Sequence, residues 1–204
     1  MFGIADYGAF VLAIVVFLAI PGPGNIALIT STAKGGMVGG LAATVGVIAG
    51  DQVLMWLAVA GVAALLKTSP IVFAAVQWIG AAYLAWIGYR IFTTRPGDAP
   101  VIHIRPGQYA RQAMAITLLN PKAIVFYMAF FPLFVDPATH QGLPTFAFMA
   151  ATIAALTFIY GAIVVVLTRT LADRLRASPR VTQMLNRVAG TALIAFGAKL
   201  ALSR

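Results

Sequence analysis

Ile20-Pro21-Gly22-Pro23-Gly24-Asn25 interrupts a run that carries no charge from Tyr7 to Ala33. About 20 apolar residues cross the hydrocarbon core of a bilayer as a helix. The run is that long, so two prolines and two glycines in its middle need a reason. Each proline removes a backbone donor and clashes with the preceding turn. In lipid, backbone groups freed this way survive only when buried in protein or facing a watery cavity. The stretch is therefore either a packing kink or part of a ligand site, and the rest of the chain decides.

The surroundings are apolar throughout. Of 204 residues, 61% are hydrophobic and 9% charged, and the mean hydropathy is +0.95. A soluble domain carries about 25% charged residues. The chain reads as an all-α, polytopic membrane protein with one transmembrane domain over residues 1–204. A formal net charge of +9 would point to nucleic acid in a soluble protein. Here the charges sit in short connections, where they set topology. The bilayer is the expected partner, and nucleic acid is not. There are no cysteines, which removes disulfides, thiolate nucleophiles and thiolate metal sites. No cofactor and no metal are expected. No Lys or Arg precedes the first run, and no small-residue cleavage site lies near Ile20. The run is expected to stay as a helix and not to be cut as a signal peptide.

Six apolar runs follow one another: Tyr7 to Thr32, Leu41 to Leu66, Ile71 to Phe92, Gln112 to Phe134, Leu143 to Leu167 and Val181 to Leu202. Each is long enough to span, and Gly, Pro or charge separates them. The loop at 93–110 holds Arg95 and Arg105, with Arg90 and Arg111 beside it. The loop at 168–180 holds Arg169, Arg174, Arg176 and Arg180. Positive loops stay cytoplasmic, so both are expected inside and both termini outside. The second run places Gly46 and Gly50 one turn apart, a row that lets another helix approach closely. The fifth run is rich in Ala and Thr, and its hydroxyls can satisfy themselves on the preceding turn.

The two halves share a plan. The first run breaks at Pro21 to Asn25, and the fourth breaks at Leu119-Asn120-Pro121-Lys122. Two further runs follow each break, the second entered near a Ser-Pro pair (Ser69-Pro70 and Ser178-Pro179). Three helices are an odd number, so the second half inserts upside down. Paired interruptions in inverted halves point to a transporter binding site near the midplane. The expected halves are residues 1–92 and 111–204, joined by the basic loop at 93–110.

Two ionisable residues lie deep in runs, Asp51 in the second and Lys122 in the fourth. Charges at that depth are costly and face the bundle interior. Asp51 reads as a proton carrier loaded and unloaded as access alternates, or as a structural partner of Lys122. Lys122 opens the helix that resumes after Pro121, where free N–H groups favour an anion. It reads as a clamp on a substrate carboxylate, or as charge balance for Asp51. Asn25 and Asn120 flank the breaks and can either cap the resumed helix or bind a polar ligand. The candidate substrate site is thus Pro21, Gly22, Pro23, Gly24, Asn25, Asn120, Pro121 and Lys122, with Asp51 for proton coupling. Pro132, Asp136 and Pro137 read as a stop signal, and His103 and His140 as solvated loop residues.

These residues carry a resemblance. Pro21-Gly22-Pro23, then Gly35, Gly39, Gly46, Gly50 and Asp51, then Leu119-Asn120-Pro121-Lys122-Ala123 and Phe130-Phe131-Pro132 resemble the LysE/RhtB family of bacterial amino-acid exporters. The likeness runs the length of the chain. It implies export of amino acids or close derivatives across the inner membrane in exchange for protons. It leaves open the cargo, which among relatives includes lysine, arginine, threonine, homoserine, its lactone and leucine. It also leaves open the oligomeric state, a homo-oligomer included. A basic cargo would profit from a second buried acid, and Asp51 is the only acid well inside a run. The sequence therefore leans to a neutral cargo, with a basic one as the alternative. An intramembrane enzyme would need a serine and histidine within reach or two close carboxylates, and the runs hold neither. A channel or a membrane assembly subunit would use the same runs without proton coupling.

Overall fold

Asp6 starts the first helix. Its carboxylate accepts the Ala9 N–H at 2.9 Å and caps α1 (Tyr7–Ala19). The helix stops where Pro21 has no N–H to offer, and Ile20 is extended with φ −65° and ψ 119°. The chain resumes as α2 (Pro23–Thr68). A proline at a first helical position loses nothing, because that N–H would be unpaired anyway. The computed structural model describes residues 3–4, 6–68, 86, 89, 93, 103–135, 142–175, 187 and 191. All but two residues of each of the third and sixth runs, Asp136, His140, both Ser-Pro pairs, residues 94–102 and the far end of the 168–180 loop lie outside them. So do the chain ends.

α2 is one element only in its hydrogen bonding. Gly36 interrupts it at φ 61° and ψ −153°, a conformation open to glycine and strained for other residues. The arms at 23–35 and 37–68 fold back on each other. A Cβ at Gly39 would lie 2.6 Å from the Ser31 carbonyl, whereas residues eight apart in a straight helix are about 12 Å apart. The sequence placed a connection between Thr32 and Leu41. The chain makes it with one glycine, and helix runs almost to the bend from both sides.

The fourth run is built in pieces: α3 (Tyr109–Leu118), α4 (Pro121–Val125), a π-helical turn (Phe126–Phe130) and a 3₁₀ turn (Phe131–Phe134). α5 (Leu143–Leu175) follows. α2 packs most heavily on α3 and α5. Gly46 and Gly50 face α3. A Cβ at Gly46 would run into the Ala110 carbonyl, and one at Gly50 would lie 2.7 Å from Thr117 Cβ. Lipid tails give helices no hydrophobic reason to associate, so close backbone packing has to do it. Gly46→Val inserts bulk against backbone that cannot yield, an overpacking of about 1–3 kcal/mol or more. The expected result is a clearly lower Tm and loss of a monodisperse peak in detergent. An unchanged Tm would remove this contact from the packing account.

Two apolar cores flank the middle of the bundle. One gathers Phe10, Phe17, Met55, Phe126 and Met149. The other gathers Leu28, Ala43, Val47, Ile104 and Ala113. Ile4 bridges to Val135, so the start of α1 and the end of the 3₁₀ turn share one end of the bundle. At the bend in α2, Lys34 Nζ donates to the Ile104 carbonyl at 3.0 Å, which ties the bend to the segment before α3. Val38, Leu57, Leu12 and Ile163 are exposed large apolar side chains. Pro23–Gly61 and Leu143–Thr170 are long and apolar enough to cross a membrane.

Candidate functional site

The break after α1 strands acceptors. In a continuous helix the Phe17 carbonyl would take the N–H of residue 21, but Pro21 has none. Lys122 supplies the missing donor. Its Nζ donates to the Phe17 carbonyl at 3.1 Å and to the Ile20 carbonyl at 2.9 Å. Asn25 works from the other side, donating Nδ2 to the Leu18 carbonyl at 3.1 Å and to the Ile20 carbonyl at 3.0 Å. The last carbonyls of a helix form its negative end, so an ammonium group sits well there. The Phe17 ring lies against the same ammonium, 4.5 Å from Nζ to its centroid. An aromatic face attracts a cation through its quadrupole. Phe126 stacks on Phe17 at 3.9 Å and 19° and holds that ring in place.

The second break is capped from within. Asn120 is extended, its side chain accepts the Lys122 N–H at 3.1 Å, and Pro121 takes the first helical position. The two asparagines are placed differently. Asn120 caps the resumed helix, while Asn25 reaches back to the helix that has ended. The Lys122 N–H is taken by Asn120 and is not free for an anion. Of the carbonyls at the end of α1, Lys122 and Asn25 hold those of Phe17, Leu18 and Ile20.

Between the two cores lies a cavity of about 30 Å³, room for roughly two water molecules. Of the residues singled out in the sequence, Gly24, Asn25, Asp51, Asn120 and Lys122 line it. Pro21, Gly22, Pro23 and Pro121 shape the two breaks and stay out of the lining. The sequence passed over Phe17, Thr117, Thr157 and Tyr160, which line it too. Asp51 is 2% exposed. Thr157 Oγ1 donates to its Oδ2 at 3.4 Å, and the Tyr127 hydroxyl bonds to it as well. Tyr160 bonds to the Asn25 side chain. Thr117 Oγ1 is buried with no hydrogen-bond partner among the described residues.

The fifth run held a signal that went unused. Thr152 does bond back to the preceding turn at 2.9 Å, as does Thr170 just beyond the run. Thr157 does not, and turns to Asp51 instead. Thr157 and Tyr160 are three residues apart, which places them on one helix face. Nothing in the sequence says which face meets Asp51.

Chemically, the cavity brings together one carboxylate, one ammonium, hydroxyls and amides inside an apolar shell. That set suits a small zwitterion, since each of its charges finds an opposite one. Two waters' worth of room is smaller than such a molecule.

A family model described as LysE type translocator matches residues 15–204. The chain belongs to this family. The resemblance seen in its motifs therefore holds. This LysE type translocator is 30% identical over 204 residues to a leucine efflux protein of Klebsiella pneumoniae subsp. pneumoniae, covering 98% of the chain and 96% of that protein. It is 32% identical over 205 residues to leucine efflux proteins of Salmonella choleraesuis and Salmonella typhimurium, covering 98% of the chain and 96% of each. No solved structure gives a significant match. The translocator is a multi-pass membrane transport protein and not an enzyme.

Proposed function

We propose that this translocator is a secondary exporter of neutral amino acids in the bacterial inner membrane, driven by proton antiport with alternating access. The observation that carries the reading is the cavity between two broken helices, with Asp51 and Lys122 both in its wall. Leucine efflux proteins as relatives support an amino-acid cargo. A neutral amino acid adds no net charge to a wall that already sets one carboxylate against one ammonium. A lysine or arginine cargo would bring a second cation, and the described residues of the cavity offer no second acid. Asp51 carries the proton in this reading. Residues from Pro21 to Asn25 and from Asn120 to Lys122 form the substrate region. Residues 1–92 and 111–204 act as inverted three-helix halves that rock about it, with both basic loops cytoplasmic and both termini outside.

The test is counterflow in proteoliposomes. Vesicles preloaded with unlabelled leucine are expected to take up labelled leucine well above protein-free vesicles. A screen of the common amino acids and homoserine lactone then ranks cargoes. No response to any of them would overturn amino-acid export. A response confined to lysine and arginine would overturn the neutral assignment. Accumulation of cargo against its gradient in inside-out vesicles separates the exporter from a channel.

A further inference from the structure

We propose that the broken end of α1 is a primary-ammonium site, filled in this structure by the protein's own Lys122, which the cargo's α-ammonium takes over during transport. The second half of this statement rests on the exporter reading, and the first half does not.

The site has the parts an ammonium needs. Two carbonyls stand at 3.1 and 2.9 Å from Nζ, from Phe17 and Ile20. The Phe17 face lies on one side at 4.5 Å. The helix end adds its negative potential. An ammonium carries three donors, and these carbonyls use two. Asn25 also holds the Ile20 carbonyl, and that of its neighbour Leu18, so one of the two acceptors keeps a tether when the occupant leaves. All the acceptors are neutral. The ammonium's hydrogen bonds thus go to dipoles, with the Asp51 carboxylate across the same cavity and no hydrogen bond between the two, which suits an occupant that must be exchanged.

Lys122 is also in the way. Its side chain lines the cavity, and what remains beside it is about 30 Å³. A cargo cannot share that space with the lysine, but it can replace it. Asp51 lines the same cavity and offers the displaced ammonium a carboxylate. Cargo entry then shifts Lys122 from α1 to α2. That breaks a contact between α4 and α1 and makes one between α4 and α2, so binding is linked to helix movement without any further part.

Lys122→Met tests this, because it keeps an unbranched stem and deletes only the ammonium. n-Butylamine at neutral pH is the probe. It is expected to raise the Tm of Lys122→Met by several degrees in a saturable way and to leave the wild type unmoved. Tetramethylammonium, a cation without N–H donors, is expected to do nothing. Adding Pro21→Ala, which gives the Phe17 carbonyl a backbone donor, is expected to weaken the butylamine effect. If Lys122→Met is recovered only as aggregate, butylamine during purification is expected to restore a monodisperse peak. No shift in the folded variant, or no rescue of the aggregated one, overturns the ammonium site. Leucine is expected to bind Lys122→Met at least as tightly as wild type, since a competitor is gone. Loss of leucine binding there would make Lys122 a carboxylate clamp and overturn the takeover. A wild type with no counterflow for any amino acid would sink the exporter reading while leaving the butylamine result to stand or fall alone.

Discussion

Asp51→Asn is expected to bring export driven by a pH gradient down to the level of protein-free vesicles, with the protein still folded. The asparagine keeps the size and shape of the side chain and can still bond to Thr157 and Tyr127. It cannot gain or lose a proton. Of the five acidic residues, only Asp51 lies deep in an apolar run, so nothing nearby can take over its role. Stability should not suffer. Taking an ion out of water costs several kcal/mol even in a good site, and Lys122 does not lean on Asp51 for its described hydrogen bonds, which go to carbonyls. The Tm is expected to stay level or rise. Asp51→Glu keeps the titrating group and should retain part of the gradient-driven flux. Normal coupled efflux by Asp51→Asn would take Asp51 out of the proton step.

The second large effect is expected from Pro21→Ala combined with Pro23→Ala. Each proline disfavours helix by about 3 kcal/mol relative to alanine. With both gone, residue 21 regains an N–H for the Phe17 carbonyl, and α1 can run on into α2. Lys122 and Asn25 then lose the acceptors that now hold them. A buried donor left without a partner costs about 1–3 kcal/mol, more when charged. The variant is expected to insert, to show at least as much helix by circular dichroism, and to transport no cargo. Counterflow and circular dichroism on the same preparation check this. Normal transport with a straightened helix would reduce the break to packing.

Much of this site can be seen in the sequence because its parts are expensive. Prolines inside an apolar run, and an aspartate and a lysine at its depth, stand out against lipid as solvent. Both breaks and both charges lie where the sequence placed them, and Asp51, Lys122, Asn25 and Asn120 share one cavity. What stayed hidden is direction. Asn25 could face either the helix that ends or the helix that begins, and only packing decides. Thr117, Thr157 and Tyr160 are ordinary residues for a membrane helix, so their place in the wall depends on rotation about the helix axis. The bend at Gly36 lies among several glycines, and no rule of composition picks one. The pieces of the fourth run follow from Asn120 and Pro121, but the π-helical turn after them leaves no mark in the residues Phe126 to Phe130.

The single-residue bend at Gly36 has a mechanical consequence. One arm of that hairpin carries Gly24 and Asn25, and the other carries Asp51. A longer loop would let the arms slip along each other, but one residue wedged between two helices acts as a stiff rivet. The carbonyl clamp and the acid therefore ride on the same tweezers. On the proposed rocking of the two halves, the stroke that opens the site comes from α3 through α5, which close against that tool.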